Sequence, residues 1–330
     1  MAARSAAFTL NGVRIVIGLL LVGLAAVSWG TTGSTLRLVG PSSAAVPLIV
    51  GAARMLIAAP LLGAGARLAG YRLRPGDRCF IVPGICMAAY QVCYFSAVPL
   101  AGIAATALLA ICSAPIVVTL LARFWLGERL TPWQLVALGM GVAGAGLLAG
   151  GGPSGHGAVF LGGCVLALGA GLSYSIYVVA TKAALETTSP LPLSALTFGL
   201  AAAVLLPILV LRPVSTVSTF QSAWPLLLYL GAIPTAIAYW VYSSGLRWAP
   251  ASLAALVGLV EPMTATTLGV VLFHERLGPS GAAGAALLLG AMGLLASAAS
   301  PAAGPVPSSR RPHEPHEPTD HHLNIEKGSE

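Results

Sequence analysis

The chain has 330 residues, 57% of them hydrophobic and 8% charged, with a formal net charge of +7. Soluble domains carry about a quarter charged residues, so this composition excludes a water-soluble globular fold. It also leaves no soluble basic domain that could present a nucleic-acid surface, and the net charge reads as membrane topology instead.

The first element opens with Arg4 and Arg14 ahead of IVIGLLLVGLAAV, a pattern that resembles a signal peptide. The apolar character continues past Trp29 to Val39 and further apolar runs follow, so the segment is read as an uncleaved first span. A bilayer crossing takes about 20 apolar residues. By that measure the first half holds spans over 13–33, 45–65, 80–98, 103–126 and 132–149. The second half holds spans over 158–181, 193–211, 224–244, 251–273 and 280–299. Residues 1–12 form a short cytoplasmic N-terminus, 13–150 and 151–300 two five-helix units, and 301–330 a cytoplasmic tail. The tail is rich in Pro, Ser, His and Glu, including PHEPHEPTDHH. That composition cannot bury a core and predicts disorder. His313, His316, His321 and His322 are read as solvated tail residues rather than as metal ligands.

The two units are copies. At an offset of 147 residues, Pro115 pairs with Pro262, Thr119 with Thr266, Glu128-Arg129-Leu130 with Glu275-Arg276-Leu277, and Pro132 with Pro279. From Ala114 to Leu148, 10 of 35 paired positions are identical without a gap. Five spans per copy is an odd number, so tandem copies must sit upside down to one another in the bilayer. With the N-terminus inside, thirteen Lys and Arg residues fall on cytoplasmic segments and three on outer ones, Arg37, Arg212 and Arg276. Both termini are therefore placed in the cytoplasm. The fold class is an all-α polytopic membrane protein of ten transmembrane helices arranged as two inverted five-helix repeats. That architecture permits alternating access around a site between the halves.

Charge inside the bilayer marks the first candidate site residues. Of ten acidic residues, only Glu261 lies mid-span, and an ionised carboxylate there costs roughly 2.5–3.5 kcal/mol on insertion scales. A cavity, a cationic partner or protonation must offset that cost, which suits a proton-coupling group. The competing reading has Glu261 capping backbone groups or pairing with an Arg for packing. Its repeat mate is Ala114, so the position is asymmetric. Arg54 is the one cation well inside a span; it binds a substrate carboxylate, pairs with Glu261, or fixes packing.

Polar aromatics are the third candidate set. Tyr90, Gln91 and Tyr94 lie in the third span, Tyr239 and Tyr242 in the eighth. Each tyrosine pair shares a helix face by its spacing. Trp29 in the first span aligns with Tyr174 in the sixth. Together they would line a substrate pocket by stacking and hydroxyl hydrogen bonds; the alternative is an interfacial aromatic belt. Pro115 and Pro262 are candidate hinges in the paired fourth and ninth spans. Gly139, Ala143 and Gly146, with Ala286, Gly290 and Gly293, are assigned to helix packing. Glu128-Arg129 and Glu275-Arg276 sit at helix ends and read as a structural or gating salt bridge. Cys79, Cys86, Cys93, Cys112 and Cys164 lack metal or disulfide spacing and read as packing residues.

Several motifs carry a family resemblance: SWGTTGS in the first span, GAARMLIAAPLL in the second, WLGERLTPWQLVALGMGVAGAGLL across the fourth and fifth, and VEPMTATTLGVVLFHERL in the ninth. In this order and duplication they resemble the drug/metabolite transporter superfamily, specifically its ten-helix EamA-type members, from about Leu20 to Ala298. The resemblance implies a ten-helix bundle that exports or exchanges small metabolites, often amino acids or related compounds, from a bacterial plasma membrane.

The expected function is secondary transport of small organic metabolites by alternating access, in the export direction and coupled to protons. A passive facilitator or a non-transporting membrane scaffold is the alternative. No GxxxxGK motif followed by Ser or Thr is present, which disfavours ATP-driven pumping. No HExxH or paired-aspartate constellation supports an enzyme, and His156 and His274 stand alone at loop positions. No cofactor, metal or nucleic acid is expected. The expected partners are a small-molecule substrate and the lipid bilayer, with a homodimer as the assembly left open.

Overall fold

The computed structural model describes residues 2–39, 46–73, 76, 78–149, 157–274 and 278–298, and these are almost entirely helical. The first half consists of α1 (Ala2–Val39), α2 (Val46–Leu68), α3 (Ile81–Ala101), α4 (Ile103–Trp125) and α5 (Pro132–Ala149). The second half begins with α6 (Ala158–Ala184) and α7 (Pro190–Val210). The eighth span is built from α8 (Pro213–Gly231), a π-helical segment (Ala232–Ile237) and α9 (Ala238–Trp248). The ninth is built from α10 (Ala251–Val257) and α11 (Val260–Phe273), and the tenth is α12 (Pro279–Ala298). Eight spans are long and apolar enough to cross a membrane outright, and shorter apolar helices stand at the fifth and tenth positions. At about 1.5 Å per residue the 18 residues of α5 reach about 27 Å, close to the hydrocarbon thickness.

Helix packing follows the repeat. α3 packs on α6, and the corresponding pair in the other half is α9 on α1. α4 packs on α6, as α11 packs on α1. α2 pairs with α7 and α5 with α12, each with its own repeat mate. These contacts thus recur under exchange of the two halves, as a pseudo-two-fold axis requires. Local chemistry repeats too. The Thr119 hydroxyl donates to the Pro115 carbonyl at 2.7 Å, and the Thr266 hydroxyl to the Pro262 carbonyl at 2.8 Å. Gly127 and its repeat mate His274 both leave their helices with positive φ, 68° and 53°.

Three boundaries differ from the sequence expectation. α1 is helical from Ala2, so residues 2–11 extend the first helix ahead of the apolar span, which runs over Gly12–Val39, further than the expected 13–33. The eighth span is not one smooth helix from 224. It carries a non-helical residue at Ala223, just ahead of Pro225, and then the π segment around Pro234. The ninth span is interrupted at Gly258–Leu259, a turn before Pro262, while α4 runs continuously through Pro115. The small-residue packing of the fifth and tenth spans uses Gly290, where a Cβ would lie 2.9 Å from Met140 Cε, and also a glycine outside the expected set. A Cβ on Gly144 would lie 2.8 Å from the Gly284 carbonyl oxygen, whereas Gly139 and Gly293 have nothing within 4 Å. Glu275-Arg276-Leu277, His156, Arg74 and the tail with its four histidines lie outside the described residues.

Candidate functional site

A cavity of about 270 Å³ lies where the two halves meet. Its walls come from the C-terminal halves of α1 and α3, the N-terminal halves of α2 and α4, the middle of α6, the π-proximal turn of α9, and the α10–α11 break. Trp29, Arg54, Tyr90, Tyr94, Tyr174, Tyr239 and Glu261 all line it, as do Pro115 and Pro262. Residues far apart in sequence, from both repeats, are needed to assemble this set.

The aromatic residues form one connected cluster. Trp29 lies 4.7 Å from Tyr239 and 6.3 Å from Tyr174, the latter edge-on at 89° (ring centroids). Tyr90 lies 5.7 Å from Tyr174 and 5.6 Å from Tyr94. The offset and edge-to-face spacings are those favoured by ring quadrupoles. The cluster sits in the bundle interior, and Trp29 and Tyr239 are 5% and 3% exposed, which sets the belt reading aside for them. Two of the residues named from sequence face elsewhere. Gln91 is fully buried with its amide nitrogen 3.8 Å from the Met55 sulfur and 3.7 Å from the Met87 sulfur, so it belongs to the α2–α3 contact. Tyr242 stacks behind Trp29 at 5.1 Å and is off the cavity wall. A one-residue step along a helix turns Gln91 about 100° from Tyr90.

Arg54 is 5% exposed. Its Nε–H donates to the Thr235 hydroxyl at 2.8 Å, and one Nη2–H makes a long contact to the Pro234 carbonyl at 3.5 Å. Glu261 falls in the first turn of α11, where the helix dipole favours a negative charge. Arg54 and Glu261 share the cavity but form no direct ion pair among the described contacts. Trp29 Nε1 and Thr32 Oγ1 are buried without a hydrogen-bond partner among the described residues, and both residues line the same space. Ala114, the repeat mate of Glu261, also lines it. The near-symmetric wall is thus made chemically unequal at this pair of positions.

Away from the cavity, two charged side chains bind backbone groups around the α9–α10 junction. The Glu128 carboxylate, between α4 and α5, accepts hydrogen bonds from the Ala251 and Ser252 backbone N–H groups at 2.7 and 3.0 Å. It therefore caps the start of α10. Lys182 donates to the carbonyls of Leu246, Arg247 and Ala249, at the end of α9. The sequence suggests a salt bridge for Glu128; its partners are instead two backbone N–H groups and the Ser252 hydroxyl. Thr235 and Pro234 do not stand out in the sequence. The available signal was a proline followed by a hydroxyl residue inside an apolar run.

A membrane bundle of two inverted five-helix repeats, with a polar-aromatic cavity between them, is the architecture of a membrane transporter. The model of the EamA-like transporter family matches this chain twice, over residues 16–150 and 161–297, and the chain belongs to that family. It is 36% identical over 284 residues to an uncharacterized transporter, YwfM, of Bacillus subtilis (strain 168), covering 86% of this chain and 94% of the relative. It is 30% identical over 196 residues to an uncharacterized transporter of Archaeoglobus fulgidus, covering 59% of this chain and 68% of that one. A crystal structure of a protein 24% identical in sequence superposes with a TM-score of 0.73, over 84% of this chain and 97% of the other, and shares the fold. The protein is an integral membrane transporter.

Proposed function

We propose that this transporter is a secondary exporter of small zwitterionic metabolites, amino acids or related compounds, working by alternating access with Glu261 as the proton-coupling group. The observation that carries this reading is the pair of opposite, unjoined charges, Arg54 and Glu261, on the wall of one aromatic-lined cavity. A carboxylate matches Arg54 and an ammonium matches Glu261, while Trp29 and the tyrosines hold the apolar part of the solute. A volume of about 270 Å³ sits below the roughly 300–1,000 Å³ of pockets for drug-sized ligands, so a small solute fits.

Both termini are assigned to the cytoplasm by the arginine and lysine distribution. In that orientation the cavity walls from α1 to α4 belong to the outer halves of those helices and the Glu128 contacts with α10 lie toward the cytoplasm, which supports reading this conformation as outward-facing. Competition for Glu261 between a proton and the substrate ammonium would couple the two fluxes in opposite directions. That exchange expels a solute when protons run inward.

The reading is tested by counterflow in proteoliposomes with a panel of radiolabelled amino acids, purines and sugars. Exchange of amino acids and rejection of sugars supports it. Exchange of neutral sugars or purines with equal efficiency refutes the zwitterion assignment. Downhill flux with no gradient-driven component would instead establish a passive facilitator.

A further inference from the structure

The eighth span holds a local irregularity whose chemistry ends at Arg54. Pro234 has no backbone N–H, so it cannot make the helical hydrogen bond to the carbonyl four residues earlier, Leu230. The backbone widens there into the π-helical segment Ala232–Ile237. Single π turns of this kind concentrate at functional sites. The Thr235 hydroxyl donates to the orphaned Leu230 carbonyl at 2.6 Å. With its proton committed there, the Thr235 oxygen is left as an acceptor, and it accepts the Arg54 Nε–H at 2.8 Å. The Pro234 carbonyl faces Nη2 at 3.5 Å. Thr235 is itself fully buried. The socket therefore occupies one edge of the guanidinium, and the remaining N–H groups of Arg54 have no protein partner among the described contacts while the residue lines the cavity.

We propose that Thr235 is a positioning residue: its hydroxyl orients the Arg54 guanidinium so that the unpaired N–H edge recognises a carboxylate, making this transporter selective for carboxylate-bearing solutes. The selectivity part rests on the substrate reading above; the positioning part does not. A planar fork fixed along one edge is what bidentate carboxylate recognition needs. A freely rotating Arg54 would bind the same charge with weaker discrimination against neutral isosteres.

The test uses the full chain in lipid nanodiscs and proteoliposomes, with Thr235→Val and Thr235→Ser. The first arm follows hydrogen exchange of the Arg54 Nε–H by NMR on arginine-labelled protein, with the signal assigned through Arg54→Lys. Slow exchange is expected in the wild type and in Thr235→Ser, and fast exchange in Thr235→Val. The second arm measures how L-leucine and L-leucinamide each inhibit counterflow of labelled L-leucine. The preference for the free carboxylate is expected to fall about tenfold in Thr235→Val and to survive in Thr235→Ser. A slow-exchanging Nε–H and an unchanged preference in Thr235→Val would overturn the proposal. So would loss of both properties in Thr235→Ser, because the hydroxyl would then not be what matters. If the wild type exchanges no leucine, the carboxylate clause falls together with the substrate reading, and the exchange arm alone decides the positioning.

Discussion

Glu128 and Ser252 are joined by two hydrogen bonds, from the backbone N–H at 3.0 Å and from the hydroxyl at 2.5 Å, across 124 residues of sequence. The adjacent Ala251 N–H gives Glu128 a third. One carboxylate from the first repeat thus ties down the start of the broken span that carries Glu261 in its second segment. The cap and the cavity lie at different levels of that span, the cap at Ala251 and Ser252 and the cavity wall from Ala255 onward.

Glu128→Ala removes all three acceptor contacts. The loss of a helix cap costs about 0.5–2 kcal/mol, and here it falls on one conformational state rather than on the fold as a whole. The expected result is a shift toward the cytoplasm-open state. The reporter is a single cysteine placed at the buried Ala249, with the five native cysteines replaced. Its labelling by a membrane-impermeant thiol reagent on everted vesicles should increase when Glu128→Ala is added. Ser252→Ala keeps both backbone bonds and should shift the equilibrium less. Equal labelling with and without Glu128→Ala would show that the cap does not hold the closed end.

Arg54→Met removes the cavity cation and leaves the Thr235 hydroxyl with one unmade contact. Counterflow of carboxylate-bearing substrates should fall by at least about 100-fold, as expected for losing a charge-assisted contact to a buried anion. Thermal stability in detergent should change little, because Arg54 has no ion-pair partner to strand among the described residues. A large loss of stability with retained substrate binding would return Arg54 to a packing role.

Gly30 is a point of close approach between α1 and the site. A Cβ there would lie 2.6 Å from Thr264 Cβ and 2.8 Å from the Glu261 carbonyl oxygen. Gly30→Ala should therefore destabilise by about 1–3 kcal/mol, as overpacking does, and lower the detergent melting temperature. Gly139→Ala has open space around it and should be neutral or slightly stabilising, by up to about 1 kcal/mol of helix propensity. The contrast between the two separates packing from composition, since both are glycines in apolar helices.

The bundle was largely legible because its determinants are periodic and long. The apolar runs, the 147-residue offset and the Pro115–Thr119 and Pro262–Thr266 pairs are one-dimensional signals, and each reappears in the helix pairing or hydrogen bonding. Most of the cavity wall was legible for a different reason: a lone carboxylate, a lone cation and polar aromatics are costly in a bilayer interior, so their presence alone marks them. What stayed hidden depends on helix rotation and backbone irregularity. Gln91 and Tyr242 lie near cavity residues in sequence but face the α2 contact and the rear of Trp29. The Thr235 socket exists because of a π turn, whereas the break at Gly258–Leu259 falls one turn ahead of Pro262, at the carbonyl a proline leaves free. The Glu128 cap was invisible because backbone N–H groups look alike in every sequence.

The most direct test compares wild type with Glu261→Gln in proteoliposomes, using a transported amino acid and an imposed pH gradient. Protonation of Glu261 would neutralise it, and the glutamine variant imitates that state permanently. In the wild type, gradient-driven accumulation should rise with the size of the imposed proton gradient. In Glu261→Gln, uphill accumulation should disappear at every gradient while downhill exchange of the same solute persists. Undiminished gradient-driven accumulation in Glu261→Gln would contradict the account, because the acidic side chain that the cavity wall presents would then have no part in coupling.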